Sequence, residues 1–205
     1  SLDLASVLNP HAPGGTGRNV IATLEGSDPE LKREWVVVGA HYDHLGEGGT
    51  PNSLAPGERA IHNGADDNAS GTSAVIRAAE ILSRGRRPTR SILFIAFTGE
   101  EAGLLGSAHF TGHPTIGSDK VTAMINLDMV GRGEVRQVAV LGLVENPKLE
   151  GVLVRAKELQ PTKIKSIVMR QGQDLFARSD HYSFHQIGVP VLFFFEGLPI
   201  EKNPD

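Results

Sequence analysis

The sequence predicts an α/β fold, a three-layer sandwich in which a mostly parallel, mixed β-sheet lies between helices. Three observations carry this. Short, continuous apolar runs rich in Val, Ile and Phe recur along the chain and read as strands buried on both faces. Segments of helical period lie between them, the alternation that builds parallel sheets. The residues that follow the apolar runs are His, Asp and Glu, and open α/β sheets carry their ligand groups beyond the carboxyl ends of the strands.

Taken in order, RNVIATLEG (18–26) alternates in part and predicts an edge strand. WVVVGA (35–40) is the first buried strand and runs into His41, Tyr42, Asp43 and His44. The 46–64 stretch is polar, with Gly, Pro and Asn, and reads as one long loop of a kind often functional in a compact domain. It ends in NGADDNASG, which sets Asp66 and Asp67 just before a helix over 70–84. In that helix Val75, Ala78, Ala79 and Leu82 fall at helical spacing. Ser70 is placed to cap its start, and Gly85 and Pro88 end it. SILFIAF (91–97) is a second buried strand; Thr98 and Gly99 lead to Glu100 and Glu101, and a helix is expected over 101–111. AMINL (123–127) runs into Asp128, and VAVLGL (138–143) precedes a helix over 146–159. A short helix over 180–187 and the strand VPVLFFF (189–195), which leads to Glu196, complete the reading.

Length and composition bound the function. The 205 residues fit one domain, and 40% hydrophobic with 21% charged residues is the composition of a water-soluble globular chain. A net charge of −4 argues against a nucleic-acid partner, which calls for a basic patch. The absence of Cys excludes disulfides, thiolate metal sites and a thiol nucleophile. No stretch approaches the roughly 20 apolar residues of a membrane span.

Each polar motif alone has an ordinary structural reading. An HxD is common, GADDNASG suits a turn and a helix cap, GEE suits the start of a helix, and a lone Asp can be buried and hydrogen-bonded. Together, at the carboxyl ends of strands, they gather carboxylates that repel one another. A divalent metal resolves the conflict, and imidazole with carboxylate is a donor set that zinc, manganese or cobalt accepts. Two metals sharing one bridging carboxylate is the arrangement of hydrolytic sites in which the ions lie roughly 3.5–4 Å apart.

GAHYDHLG, NGADDNASG, FTGEEAGLLGS, INLDMVG and SDHYSF, in this order between residues 35 and 196, resemble the co-catalytic di-zinc aminopeptidases of the bacterial leucyl type, a family related to the glutaminyl cyclases. The resemblance implies the phosphorylase/hydrolase-like zinc exopeptidase fold and a peptide substrate. It implies that His41 and Asp128 bind one zinc, that Asp67 bridges two, that Glu101 binds the second, and that Glu100 is the general base. Asp43 is expected to orient His41, and the peptide bond after Asp67 to be cis. Phe176, Tyr182 and Phe184 are candidates for an apolar substrate pocket, with core packing the competing reading. His44 and His62 flank the site and are positioned to take up stray metal. His181 and His185, four apart, are not expected to be ligands; His11, His109 and His113 are expected at the surface.

The family's further His ligand follows the last strand in a phrase like NPDYH, whereas this chain ends in NPD. Two zinc ions are therefore expected in the intact protein, with the second site incomplete here. Residues 1–205 are expected to form a single catalytic domain that is cut short at its C-terminal end and lacks an upstream segment. The resemblance suggests a secreted or periplasmic enzyme, although no leader opens the chain. The competing functions are a glutaminyl-cyclase-type acyltransferase with one zinc, a non-catalytic module of the same fold, and a dipeptidase or carboxypeptidase with the same two-metal logic.

Overall fold

The apolar runs pair as strands of one sheet. A computed structural model describes residues 2–3, 16–48, 53, 55, 57–132, 137–160, 166–169 and 173–196. The strands are β1 (Val20–Leu24), β2 (Trp35–His41), β3 (Ser91–Phe97), β4 (Val121–Leu127), β5 (Gln137–Leu141), β6 (Ser166–Met169) and β7 (Val191–Glu196). They form a seven-stranded sheet in the order β6-β5-β7-β4-β2-β3-β1. The central pairs β7–β4, β4–β2 and β2–β3 are parallel, as is β6–β5, while β1–β3 and β5–β7 are antiparallel. This is the mostly parallel mixed sheet that the sequence predicts.

The helices are α1 (Gly71–Arg84), α2 (Leu105–Gly112), α3 (Glu150–Leu159), α4 (Gln173–Phe176) and α5 (His181–Gln186). Alternation along the strands feeds two cores. Val38, Ala40, Ile92 and Phe94 pack with Val75, Ala78, Ala79 and Leu82 of α1 on one face. Val37, Leu93, Ile95, Phe97 and Met124 pack with Phe110 of α2, Phe176 and Phe184 on the other. The three layers follow from that division.

Several boundaries differ from the sequence reading, each for a local reason. The helix expected from 101 begins at Leu105, because Gly103 at φ +102° and Leu104 at φ +60° are left-handed. The strand expected to reach 143 stops at Leu141, before Gly142 at φ +99°. A 3-10 turn, Pro147–Leu149, precedes α3. Ser70 does not cap α1: its backbone is already helical and its hydroxyl donates to the Asp66 carbonyl at 2.6 Å. The loop over 46–64 contains a short hairpin, Gly46–Glu47 paired with Ile61–His62. Strand β6 was not foreseen, since SIVM is too short an apolar run to stand out.

Sheet register positions the chemistry. In β2 and β4, Gly39 pairs with Asn126. Two residues further on, that register brings His41 beside Asp128. In β2 and β3, His41 pairs with Phe97, so Glu100 and Glu101 leave the same edge three and four residues later.

Candidate metal centre

Two groups of side chains at this edge present metal-ligand atoms within 4.8 Å of one another: His41, Asp67 and Asp128, and His44, Asp67 and Glu101. Asp67 belongs to both. In the first group His41 Nε2 lies 3.1 Å from Asp67 Oδ1 and 3.3 Å from Asp128 Oδ1. In the second, His44 Nδ1 lies 2.7 Å from Glu101 Oε1 and 3.8 Å from Asp67 Oδ2. Imidazole and carboxylate donors converging in two sets with a common carboxylate fit two divalent cations of the zinc type.

The surroundings explain why these atoms converge. The Asp43 backbone carbonyl is 3.0 Å from His41 Nδ1. A carbonyl can only accept, so Nδ1 carries the proton and Nε2 is the nitrogen presented to Asp67 and Asp128. Asp43 therefore orients His41 chiefly through its backbone. Its carboxylate, expected to do this, is 3.8 Å from Nδ1 and instead accepts the backbone N–H groups of Glu100, at 3.2 Å, and Glu101, at 3.4 Å. One residue thus ties the β2 end to the acidic turn after β3.

Asp67 is placed by its neighbour. Buried Asn68 donates from Nδ2 to the Leu127 carbonyl at 3.0 Å, and its Oδ1 accepts from the N–H of Gly71 at 2.9 Å and of Met129 at 3.2 Å. These bonds staple the Asp67 segment to the end of β4, beside Asp128. The Asp67–Asn68 peptide bond is cis, as the resemblance implies. Gly71 makes the close approach possible, because a Cβ there would stand 2.2 Å from the Leu127 carbonyl oxygen.

Asp128 is held from below. Asn126 Nδ2 donates to Ser179 Oγ, and Ser179 Oγ donates to Asp128 Oδ2, both at 2.6 Å. The sequence reading missed Asn126 and Ser179 as parts of the site, although both lie inside motifs that it singled out, INLDMVG and SDHYSF.

The electrostatics are those of a cluster short of positive charge. Burial disfavours the charged form of His41, yet hydrogen bonds to Asp128 and Asp67 and the charges of Asp128 and Glu100 push its pKa up to about 12. Burial raises Glu100 to about 9; His41 opposes the rise, while Asp128, Asp180 and Glu101 add to it. Burial and the charge of Asp67 also raise Glu101, against the hydrogen bond from His44. Burial works against the ionised form of Asp67, but His41 and His44 hold its pKa below the ordinary value. Behind the site, fully buried Asp180 is pushed up to about 7 by burial, against the pull of His41 and the Ser107 hydroxyl. A bound cation would relieve the carboxylate repulsion that holds Glu100 and Glu101 up, which is the second sign that the residues fit a metal.

Glu100 belongs to neither ligand group; its Oε2 is 3.9 Å from His41 Nε2. Phe184, a pocket candidate, is 1% exposed and packs between Phe97 and Phe110, so it is a core aromatic with no surface to offer a substrate. Phe176 is also buried, edge-on to His181, Tyr182 and His185, and Tyr182 is half-buried against the same core. His181 stacks on Phe193, and burial lowers its pKa to about 3. His109 and His113 stack on each other at the exposed end of α2; His11 lies outside the described residues.

Residues 19–204 match Peptidase family M28. A probable leucine aminopeptidase of Arthroderma otae is 32% identical over 182 residues, which are 86% of this chain and 47% of that protein. The chain thus spans about half the length of the curated relatives it matches. Among solved structures, a zinc aminopeptidase from Bacillus subtilis is 30% identical with a TM-score of 0.65, covering 91% of this chain and 41% of the other. A glutaminyl cyclase from Porphyromonas gingivalis, 20% identical with a TM-score of 0.66 over 89% of this chain and 65% of its own, shares the fold.

Proposed function

The chain belongs to peptidase family M28, and from that premise we propose that it is the catalytic part of a zinc-dependent aminopeptidase that removes the N-terminal residue of peptides using two zinc ions. The observation that carries this reading is the pair of ligand groups that share Asp67, with Glu100 beside them and outside both. When bound, zinc would act as a Lewis acid, bringing the pKa of a water to around 7 and polarising the scissile carbonyl.

The residues of the chain do the rest. His41, Asp67 and Asp128 hold one ion; Asp67 and Glu101 hold the other. Glu100 takes the proton of the attacking water and returns it to the leaving amine, the role of a general base that becomes a general acid. Asp43 fixes the backbone from which Glu100 projects. The acidic surroundings favour a free, positively charged peptide N-terminus, which supports an exopeptidase, and Tyr182, only partly buried, remains the aromatic candidate for the first side chain.

The test is hydrolysis of a leucyl peptide by the zinc-loaded chain and by Glu100→Gln. The substitution should keep the bound zinc and slow turnover about 100- to 10,000-fold, the range of one acid–base group. Acetylating the peptide N-terminus should abolish hydrolysis. Normal turnover by Glu100→Gln would remove Glu100 from the mechanism. Cyclisation of an N-terminal Gln peptide without hydrolysis would replace the peptidase reading by an acyltransferase.

A further inference from the structure

We propose that His44 is a positioning residue: it holds the carboxylate of Glu101 in place for the second ion by donating its Nδ1–H to Glu101 Oε1 across 2.7 Å. This rests on the two-ion reading above, in which Glu101 meets that ion, and adds what keeps the side chain there. Spacing separates a hydrogen bond from a pair of ligands. Two donors on one tetrahedral zinc ion, each about 2.0–2.1 Å from it, stand about 3.3 Å apart. His41 Nε2 meets that spacing, at 3.1 Å from Asp67 Oδ1 and 3.3 Å from Asp128 Oδ1. His44 Nδ1 stands closer than that to Glu101 Oε1 and, at 3.8 Å, further than that from Asp67 Oδ2. A separation of 2.7 Å is that of a charge-assisted hydrogen bond, and an ionised carboxylate can only accept, so the proton sits on His44 Nδ1.

Glu101 is thus held at both ends by the segment that follows His41. The Asp43 carboxylate accepts the Glu101 N–H at 3.4 Å, which fixes the backbone, and His44 fixes the far end of the side chain. Glu101 sits on a turn with its side chain 21% exposed, where a glutamate left to itself samples several rotamers. With Oε1 taken by His44, Oε2 is the oxygen left to face an ion. The His44 ring is placed in turn by three features. Gly64, at φ +60°, has no Cβ; one built there would stand 2.8 Å from His44 Cβ and Cγ and 2.6 Å from the Asp67 carbonyl oxygen. His44 therefore lies in the space that this glycine leaves, against the segment that carries Asp67. The hairpin register sets His62 opposite Gly46, and the His62 ring meets the His44 ring edge-on, with centroids 6.1 Å apart at 76°. His62 is itself anchored, because its Nε2 lies 2.9 Å from the Oγ of buried Ser53, which accepts the Ala55 N–H at 3.0 Å.

The test loads the chelator-stripped chain with an NMR-active cadmium isotope in place of zinc and labels its histidine nitrogens. A nitrogen bound to the ion then shows a coupling to cadmium, and a nitrogen that carries a proton shows a coupling to that proton. The wild type should take two equivalents, with a cadmium coupling at His41 Nε2 and none at His44, whose Nδ1 keeps its proton. His44→Ala should take the first equivalent normally, which doubles as the check that it folds, and bind the second about 10- to 100-fold more weakly, the cost of losing a ligand's outer partner. His44→Asn, which keeps an amide donor in place of the Nδ1–H, should recover most of that affinity. Hydrolysis of a leucyl peptide by His44→Ala should return toward the wild-type rate at saturating zinc, because His44 holds a ligand and takes no part in the chemistry. A cadmium coupling at His44, or an unchanged second affinity in His44→Ala, would overturn the role given to His44 and leave the two-ion reading standing. A wild type that takes one equivalent would bring down the two-ion reading, and this role with it.

Discussion

The two ligand groups that share Asp67 are built differently. His41 and Asp128 end neighbouring parallel strands, with side chains 1% and 10% exposed, and are aligned by the β2–β4 register. The Asp43 carbonyl fixes one and the Asn126–Ser179 pair the other. His44 and Glu101 sit on connecting segments, with side chains 20% and 21% exposed. They are placed by a two-residue-per-strand hairpin, by Gly64 and by the Asp43 carboxylate on the backbone of Glu101. A site mounted on strands is more rigid than one mounted on loops. The strand-borne half should therefore take its ion first and hold it longer.

Asp67→Ala should erase the comparison and have the largest effect. It removes the one carboxylate common to both halves, so both ions should be weakened and hydrolysis should fall by at least about 1,000-fold. Isothermal titration with zinc would show whether either half survives alone. Ser179→Ala should sharpen the comparison. It leaves Asp128 Oδ2 without its 2.6 Å donor, so affinity for the first ion should drop about 10- to 100-fold while the second is unchanged. Equal weakening of both ions would mean that the halves are not separately supported.

A smaller effect concerns stability against pH in the chelator-treated chain. His41 is raised from 6.5 to about 12, so the stability it contributes when protonated is whole below 6.5 and declines as pH rises above it. Glu100 is raised to about 9 and Asp180 to about 7; both bind more protons folded than unfolded, which also lowers stability as pH rises toward those values. The melting temperature should therefore fall between about pH 6.5 and pH 9. Zinc should reverse the trend, because its ligands must lose their protons to bind it. A metal-free melting temperature that rises over this window would show that the cluster is not starved of cations.

The same contrast marks what was legible in the sequence. The strand-borne half was readable because each apolar run ends in its functional residue, and parallel pairing must bring those ends to one edge. That Asp66, Asp67, Glu100 and Glu101 gather at this edge was readable because their motifs are dense in acids next to such ends, while the roles given to Asp67, Glu100 and Glu101 came from the family resemblance. The loop-borne features were not. Whether Asp43 uses its carbonyl or its carboxylate depends on how a turn folds back. That His62 stands opposite Gly46 depends on a hairpin too short to leave a periodic pattern. Ser179 reaches Asp128 across 51 residues of chain, a contact that neither spacing nor periodicity encodes. Phe184 shows the same limit from the other side, since an aromatic near the motifs turned out to face the core between Phe97 and Phe110.

The most direct test of a two-metal centre at this sheet edge is the zinc content of the wild-type chain, measured by elemental mass spectrometry after dialysis against dilute zinc. Two zinc ions per chain is the predicted result. One ion or none would contradict the proposal that the two groups sharing Asp67 hold two ions.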